Sequence, residues 1–255
     1  VFANNVKKSS EQFELVLDEE SDLAGLPESA VEMARYEADE RGLHHKWIIT
    51  LDYPSFGPFM TFSSRRDLRE KIWKAFSHRA DHDEFDNTGN VFKIVRLRHQ
   101  RAQLLGYKTH ADFVLERRMA ENANHVMAFL GDLKTRYREG ALKDLAEVKA
   151  IAKEDGIEDL KPWDVGYYSE KLQHRKFEFS SEDARPYFPL GPVLEGTFAH
   201  FSKLFGLKFT PAPDLPTWHS DVTAYDVSDE TTGIFVGTLY ADFYPRTGKK
   251  PGAWM

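Results

Sequence analysis

The sequence predicts a mainly α protein that closes on a small antiparallel β-sheet. Two observations carry that expectation. Apolar residues recur at helical spacing through most of the first two-thirds of the chain, most clearly from Val126 to Ala152. Alternating β-branched and aromatic runs come after the proline-rich stretch Thr210–Pro216, which cannot be helical.

A first helix begins at Pro27 and carries Val31, Ala34 and Ala38 at helical spacing up to Gly42. "KWIITLD" (Lys46–Asp52) reads as a short strand, closed by "YPSFGP", which reads as a turn. Ser64 and Asp67 form a capping-box pattern, followed by Leu68, Ile72, Ala75, Phe76 and Arg79 on one helical face. A helix from about Val91 ends at Gly106, and Thr109 with Asp112 forms a second capping box. The longest helix is expected from about Ala123 to Asp155, with Val126, Leu130, Leu133, Tyr137, Ala141, Leu145, Val148 and Ala152 buried on one face. Gly140 inside it costs roughly 1 kcal/mol relative to Ala. The pattern changes near residue 176. A short capped turn comes first, then a helix from about Val193 to Leu204 closed by Gly206. Strands at about Val222–Ser228 and Ile234–Tyr244 pair as a hairpin through "DETTG".

Composition removes several function classes. The chain has 255 residues, 41% of them hydrophobic and 29% charged, which supports a core and argues against disorder. A formal net charge of −7 without a long basic stripe argues against nucleic acid or an anionic membrane as a partner. The absence of Cys excludes a disulfide framework, a Cys-based zinc site and a thiol nucleophile. No apolar run approaches the roughly 18–20 residues of a membrane span.

Four groups of residues are candidates for chemistry. His78 and His82 stand i,i+4, a spacing that puts two imidazoles on one helix face, but Arg79 occupies the place where the zinc-protease motif needs Glu. A solvated helix end is the favoured reading. His219 and Asp221 flank a strand start, and structural pairing is favoured over metal binding. "TGKKPG" lacks the spacing of a phosphate loop. "WDVGYYSEKL" (Trp163–Leu172) and "RPYFPL" (Arg185–Leu190) are dense in aromatic residues, and core packing is favoured over a peptide or sugar groove. These groups assemble no nucleophile, base and orienting acid.

Eight segments in sequence carry a further signal: "LAGLPESAVEMA", "WIITLDYPSFGPFM", "LRHQRAQLLGY", "MAENANHVMAFLGDL", "KPWDVGYYSEKL", "RPYFPLGPVLEGTFAHFSKLFGLKF", "WHSDV" and "YADFYPRTGKKPGAWM". Together they resemble the thimet oligopeptidase family of zinc metallopeptidases, nearest to its oligopeptidase A and peptidyl-dipeptidase branch. The resemblance covers essentially the whole chain. It implies a mostly helical, zincin-like enzyme with two lobes around a deep channel that admits short peptides. It also implies one zinc ion, held by the two His of an H-E-x-x-H helix and a later Glu.

No H-E-x-x-H occurs in this sequence. The expectation is therefore a central fragment of a longer zinc oligopeptidase or peptidyl-dipeptidase, inactive alone, with no catalytic or metal residue and no zinc of its own. Residues 1–175 would form a helical channel-wall region, and 176–255 the start of a truncated catalytic lobe with a helix and a β-hairpin. Its partners would be short peptide substrates and the remaining catalytic half of the same polypeptide. Gly252, Ala253 and Trp254 are the substrate-binding candidates, as an extended continuation of the hairpin along the channel. The alternative is that this segment packs in the core. Asp242 and Arg246 are expected to pair structurally. The expected compartment is the cytoplasm, with the periplasm or export left open. The rival function is a non-enzymatic helical peptide-binding or scaffold protein.

Overall fold

The computed structural model describes residues 1–244 together with Arg246 and Lys249. The chain is mainly α, as expected, and divides into two compact units, Val1–Glu178 and Phe179–Met255.

The first unit runs α1 (Phe2–Gln12), β1 (Glu14–Leu17), a 3-10 turn (Glu20–Leu23), α2 (Glu28–Asp39), β2 (Trp47–Thr50), α3 (Tyr53–Phe62), α4 (Arg66–Ser77), α5 (Thr88–Leu104), α6 (His110–Leu115), α7 (Ala123–Glu154) and α8 (Pro162–Phe177). β1 and β2 pair antiparallel, with Leu15 opposite Ile49 and Leu17 opposite Trp47. β1 has no counterpart among the elements expected from the sequence. Its four residues alternate exposed and buried, a signal too short to stand out until β2 supplies the partner. Leu15, Leu17, Ala34, Trp47, Ile49, Leu51, Phe59 and Ile72 form the core around this ribbon.

"YPSFGP" is helix and not turn. α3 takes Pro54 in its first turn, where a missing N–H costs nothing, and keeps Pro58 inside. An internal Pro costs roughly 3 kcal/mol. Phe59 is fully buried, with Phe56 and Met60 packed beside it, and each such side chain returns about 1.5–3 kcal/mol. Tertiary burial therefore overrides the local turn chemistry.

The box expected at Ser64 and Asp67 does not form. Ser64 donates from its backbone N (2.8 Å) and its hydroxyl (3.0 Å) to the Ala24 carbonyl, and Asp67 pairs with Arg65. Gly25 explains why that loop sits there. Its φ is +87°, and a Cβ at this position would collide with the Phe62 carbonyl oxygen. The face predicted for α4 is nonetheless right, since Ile72 is buried and Leu68, Ala75 and Phe76 pack on the same core. Arg79 lies beyond the helix and stacks on Phe76 at 3.6 Å. The box at Thr109 and Asp112 forms as expected.

α7 is the longest helix, with 32 residues, capped by the Asn122 side chain. Burial of its whole apolar stripe is overturned. Val148 and Ala152, with Ile151, are buried in a cluster with Tyr168 of α8. Leu130 is 50% exposed and Tyr137 68% exposed, and no side chain of α7 before Val148 is buried among the described residues. α5 likewise starts three residues before Val91 and buries only Ala102.

Between α4 and α8 sits a buried charge cluster. The Asp164 carboxylate is fully buried and accepts from Arg66 Nε (2.9 Å) and Nη2 (2.8 Å), Arg69 Nη2 (3.1 Å) and the Lys161 backbone N (3.0 Å). Arg69 also donates to the Ser63 carbonyl (2.5 Å) and the Trp163 carbonyl (3.1 Å), and its guanidinium lies 4.2 Å from the Tyr167 ring. Burial pushes the Asp164 pKa up, but the Arg66, Lys161 and Arg69 hydrogen bonds together outweigh it and hold the group below the usual carboxylate range.

The second unit holds α9 (Ser181–Ala184), a 3-10 turn (Arg185–Tyr187), α10 (Leu190–Phe205), β3 (Leu207–Pro211), β4 (Thr223–Asp229) and β5 (Phe235–Ala241). α9 is the predicted capped turn, boxed by Ser180 and Asp183. α10 starts three residues before the predicted Val193 and ends where predicted: Gly206, at φ +65°, reverses the chain straight into β3. The sheet has three strands in the order β3-β4-β5, all antiparallel. The predicted hairpin is its β4-β5 half, with β5 ending at Ala241, three residues short of the expected Tyr244. The end of β3 overlaps the expected linker, because Thr210 and Pro211 belong to the proline-rich run. Phe209 decides for a strand, stacking on Phe198 of α10 with centroids 4.4 Å apart and rings 6° from parallel. Pro211 is tolerated at the end of an edge strand. Asp229 caps the hairpin turn, accepting from Thr231 N (3.1 Å) and Thr232 N (2.7 Å).

Candidate functional site

The candidate site is the open side and far end of the three-stranded sheet. β5 pairs with β4 on one side only, so alternate N–H and C=O groups along its other edge have no strand partner among the described residues. The chain leaves β5 through Asp242, and that residue organises the stretch beyond the strand. Its carboxylate accepts from Arg246 Nη1 (2.7 Å) and Nη2 (2.8 Å), from Lys249 Nζ (3.0 Å) and from Trp218 Nε1 (3.1 Å). Lys249 Nζ also donates to the carbonyls of Asp242 (2.7 Å) and Tyr244 (2.9 Å). The Arg246 fork holds the Asp242 carboxyl far below the usual range, with Lys249 and Trp218 adding to it against some desolvation. The segment after β5 is thereby tied to the loop before β4. Trp218 adds a ring contact with Tyr240 at 5.4 Å.

The Asp242–Arg246 pairing is structural, as expected. Sequence reasoning missed Lys249 and Trp218 as its partners because nothing in their spacing announces a shared carboxylate. Gly252, Ala253 and Trp254 lie outside the described residues. His219 and Asp221 form a local pair: the Asp221 backbone N donates to His219 Nδ1 at 3.2 Å, and the side chains stand 3.4 Å apart. Beside them a cleft of about 290 Å³ is lined by Pro211, Thr217, Ser220, Val222, Thr223 and Tyr225. It offers hydroxyls and apolar walls but no carboxylate or imidazole.

The aromatic stretches divide. Tyr168 is buried and Trp163 packs on Trp73 at 5.6 Å, so core packing holds there. Tyr187 is 80% exposed and Phe188 is exposed too, so it does not hold for "RPYFPL".

The possible metal ligands can be set against the zinc that the family resemblance implies. α4 ends at Ser77, so His78 and His82 do not share a helix face, and each ring instead faces Asp81 (2.9 and 3.4 Å). Among the described residues, Asp81, His82 and Asp86 are a group of three possible donors within 4.8 Å of one another. All three lie toward solvent. Asp86 already holds the Thr88 backbone N (3.1 Å) and hydroxyl (2.7 Å). One imidazole and two committed carboxylates at the surface do not match a His₂Glu catalytic site.

Comparison with known proteins places the chain in a family. The family model of peptidase family M3 matches residues 59–255. The chain is 37% identical over 260 residues to oligopeptidase A of Escherichia coli (strain K12), covering 100% of this chain and 38% of that protein. It is 34% identical over 265 residues to the organellar oligopeptidase A, chloroplastic/mitochondrial, of Arabidopsis thaliana, covering 100% of this chain and 33% of the relative. It is 32% identical over 244 residues to the dipeptidyl carboxypeptidase of Escherichia coli (strain K12), covering 94% of this chain and 36% of the relative. The chain thus spans 38% or less of the length of these curated relatives. With the family model matching most of its length, the chain belongs to peptidase family M3, the thimet oligopeptidase family.

Proposed function

We propose that this chain is part of a longer zinc-dependent oligopeptidase or peptidyl-dipeptidase that hydrolyses short peptides, and that alone it neither holds the zinc nor cleaves. The observation that carries the reading is similarity over the whole chain to peptidases of which it covers little more than a third, in a sequence without H-E-x-x-H. When bound in the longer protein, zinc would activate water for attack on a peptide carbonyl. The residues of this chain would do the positioning.

In this reading residues 1–175 form channel wall and 176–255 begin the catalytic lobe. The free edge of β5, continued by Gly252, Ala253 and Trp254, is a wall of the channel. A strand edge offers a peptide main-chain hydrogen bonds irrespective of its sequence, and small side chains at 252 and 253 let another backbone approach. Asp242, by gathering Arg246, Lys249 and Trp218, holds the described residues that follow β5 against the loop before β4. The cytoplasm remains the proposed compartment, with no nucleic acid or membrane as partner.

Measurements on the 255-residue chain and on the full-length protein test this. Zinc titration by calorimetry and a quenched-peptide assay on the 255-residue chain should show no sub-micromolar zinc site and no turnover. The full-length protein should cleave short peptides and lose activity to a chelator. In it, Gly252→Val should lower turnover without changing zinc content. Stoichiometric tight zinc in the 255-residue chain, or a full-length protein inert toward peptides, would refute the reading.

A further inference from the structure

We propose that α5 is an intramolecular docking helix for a segment of the longer polypeptide outside residues 1–255, a segment presenting carboxylates beside apolar side chains. The proposal rests on the reading of the chain as part of a longer protein. Three independent observations support it.

The first is the distribution of apolar residues. At 100° per residue, Val91, Val95 and Ala102 share one side of α5, Leu97 and Leu104 the opposite side, and Phe92 lies between. A helix apolar on so many sides belongs in an interior. Yet only Ala102 is buried, while Phe92 is 72% and Leu104 87% exposed.

The second is charge. The 17 residues of α5 include Lys93, Arg96, Arg98 and Arg101 and no acidic residue. Among the described residues none of the four forms an ion pair, and Arg101 instead lies 5.0 Å from the Phe113 ring of α6. Elsewhere in the same unit cations find carboxylates readily: Arg66 and Arg69 on Asp164, Lys171 on Asp155, Arg175 on Glu154. In a chain of formal charge −7, a wholly cationic helix without such partners is an exception that a complementary acidic surface would resolve. A two-fold contact of α5 with the same helix of a second copy would set the same cations against each other, so charge disfavours self-association through this face.

The third is length. The relatives have well over half of their polypeptide outside the matched region, enough to supply the covering segment.

The test uses the full-length protein. Lys93 is modified with an amine-reactive reagent, and its rate is compared by mass spectrometry with that of Lys149, an exposed residue on the second half of α7. Lys93 should react roughly tenfold more slowly than Lys149, at every protein concentration and without added peptide. The double variant Arg96→Glu/Arg98→Glu should lower Tm by at least about 3 °C and bring Lys93 to the rate of Lys149, while Lys149→Glu should leave Tm unchanged. Equal rates at Lys93 and Lys149 in the unaltered protein would overturn the proposal. So would protection that grows with protein concentration, which means a second copy, or that appears only when peptide is added, which means a substrate surface. If the double variant does not accumulate, the rate ratio in the unaltered protein decides alone. Peptidase activity is read separately: Lys93 protection in a protein inert toward peptides would remove the peptidase reading and keep the docking helix.

Discussion

α4 and α8 bring cations to carboxylates beyond their own helix and their apolar faces to a core, whereas among the described residues α5 does neither and the first half of α7 pairs Arg136 only with its own Asp132 and buries no side chain. Arg66 and Arg69 close on Asp164, and Lys171 and Arg175 reach Asp155 and Glu154 at 2.5 and 2.7 Å. α5 has four cations and no ion pair among the described residues, and α7 turns Leu130 and Tyr137 to solvent. All four helices have helix-forming sequences. Periodicity therefore specifies that a helix forms and which face is apolar. It does not specify whether the partner for that face lies within these 255 residues. In the 255-residue chain alone the paired helices should be sensitive to substitution and the unpaired ones indifferent.

The largest effect is expected at Asp164. Asp164→Ala leaves Arg69 buried and uncompensated, and the loss should be about 3–5 kcal/mol by urea denaturation. A loss below about 1 kcal/mol would mean that α4 and α8 do not depend on the cluster. The same group sets a pH dependence. Its folded pKa is depressed, so it binds fewer protons folded than unfolded, and its stabilisation is present above the unfolded value near 3.8. That contribution should disappear as pH falls from about 4 toward the lower folded value, and Asp164→Asn should flatten the acid limb of stability against pH. An unchanged acid limb in that variant would assign acid sensitivity to other carboxylates.

Gly25→Ala should cost about 1–3 kcal/mol, since the new Cβ collides with the Phe62 carbonyl oxygen and the backbone is left-handed. A neutral result would show that the loop between β1 and α2 can move away from α3. On the unpaired side the effects shrink and change sign. Gly140→Ala meets nothing within 4 Å and should raise stability by roughly 0.5–1 kcal/mol in thermal unfolding. Leu130→Ser, in the chain alone, should stay within about 0.5 kcal/mol. A cost of about 2–5 kcal/mol for Leu130→Ser in the full-length protein alone would sharpen the comparison, because it would show that face becoming core.

The sequence legibly encodes what is local. The capping box of Thr109 and Asp112, the start of α7 after Asn122, the turn at Gly206 and the β4-β5 hairpin all depend on residues a few positions apart, and all stand where their spacing predicts. The fold class is legible because it is the sum of such local patterns, and the family because its segments are spread over the whole chain. Only tertiary structure decided the rest, because it depends on partners far along the chain. β1 exists because β2 pairs with it, and β3 because Phe198 receives Phe209. α3 is helical across Pro58 because Phe59 is needed in the core, and Ser64 forgoes its cap for the Ala24 carbonyl. Asp164 becomes a centre of charge only when Arg69, 95 positions away, closes on it, and Asp242 is tied to the loop before β4 only when Trp218, 24 positions away, donates to it. A capping motif or a heptad states a preference worth about 1 kcal/mol, while burial of one aromatic side chain is worth roughly two or three times that. Where the two conflict, packing prevails, and packing is the part of the structure that no short stretch of sequence contains.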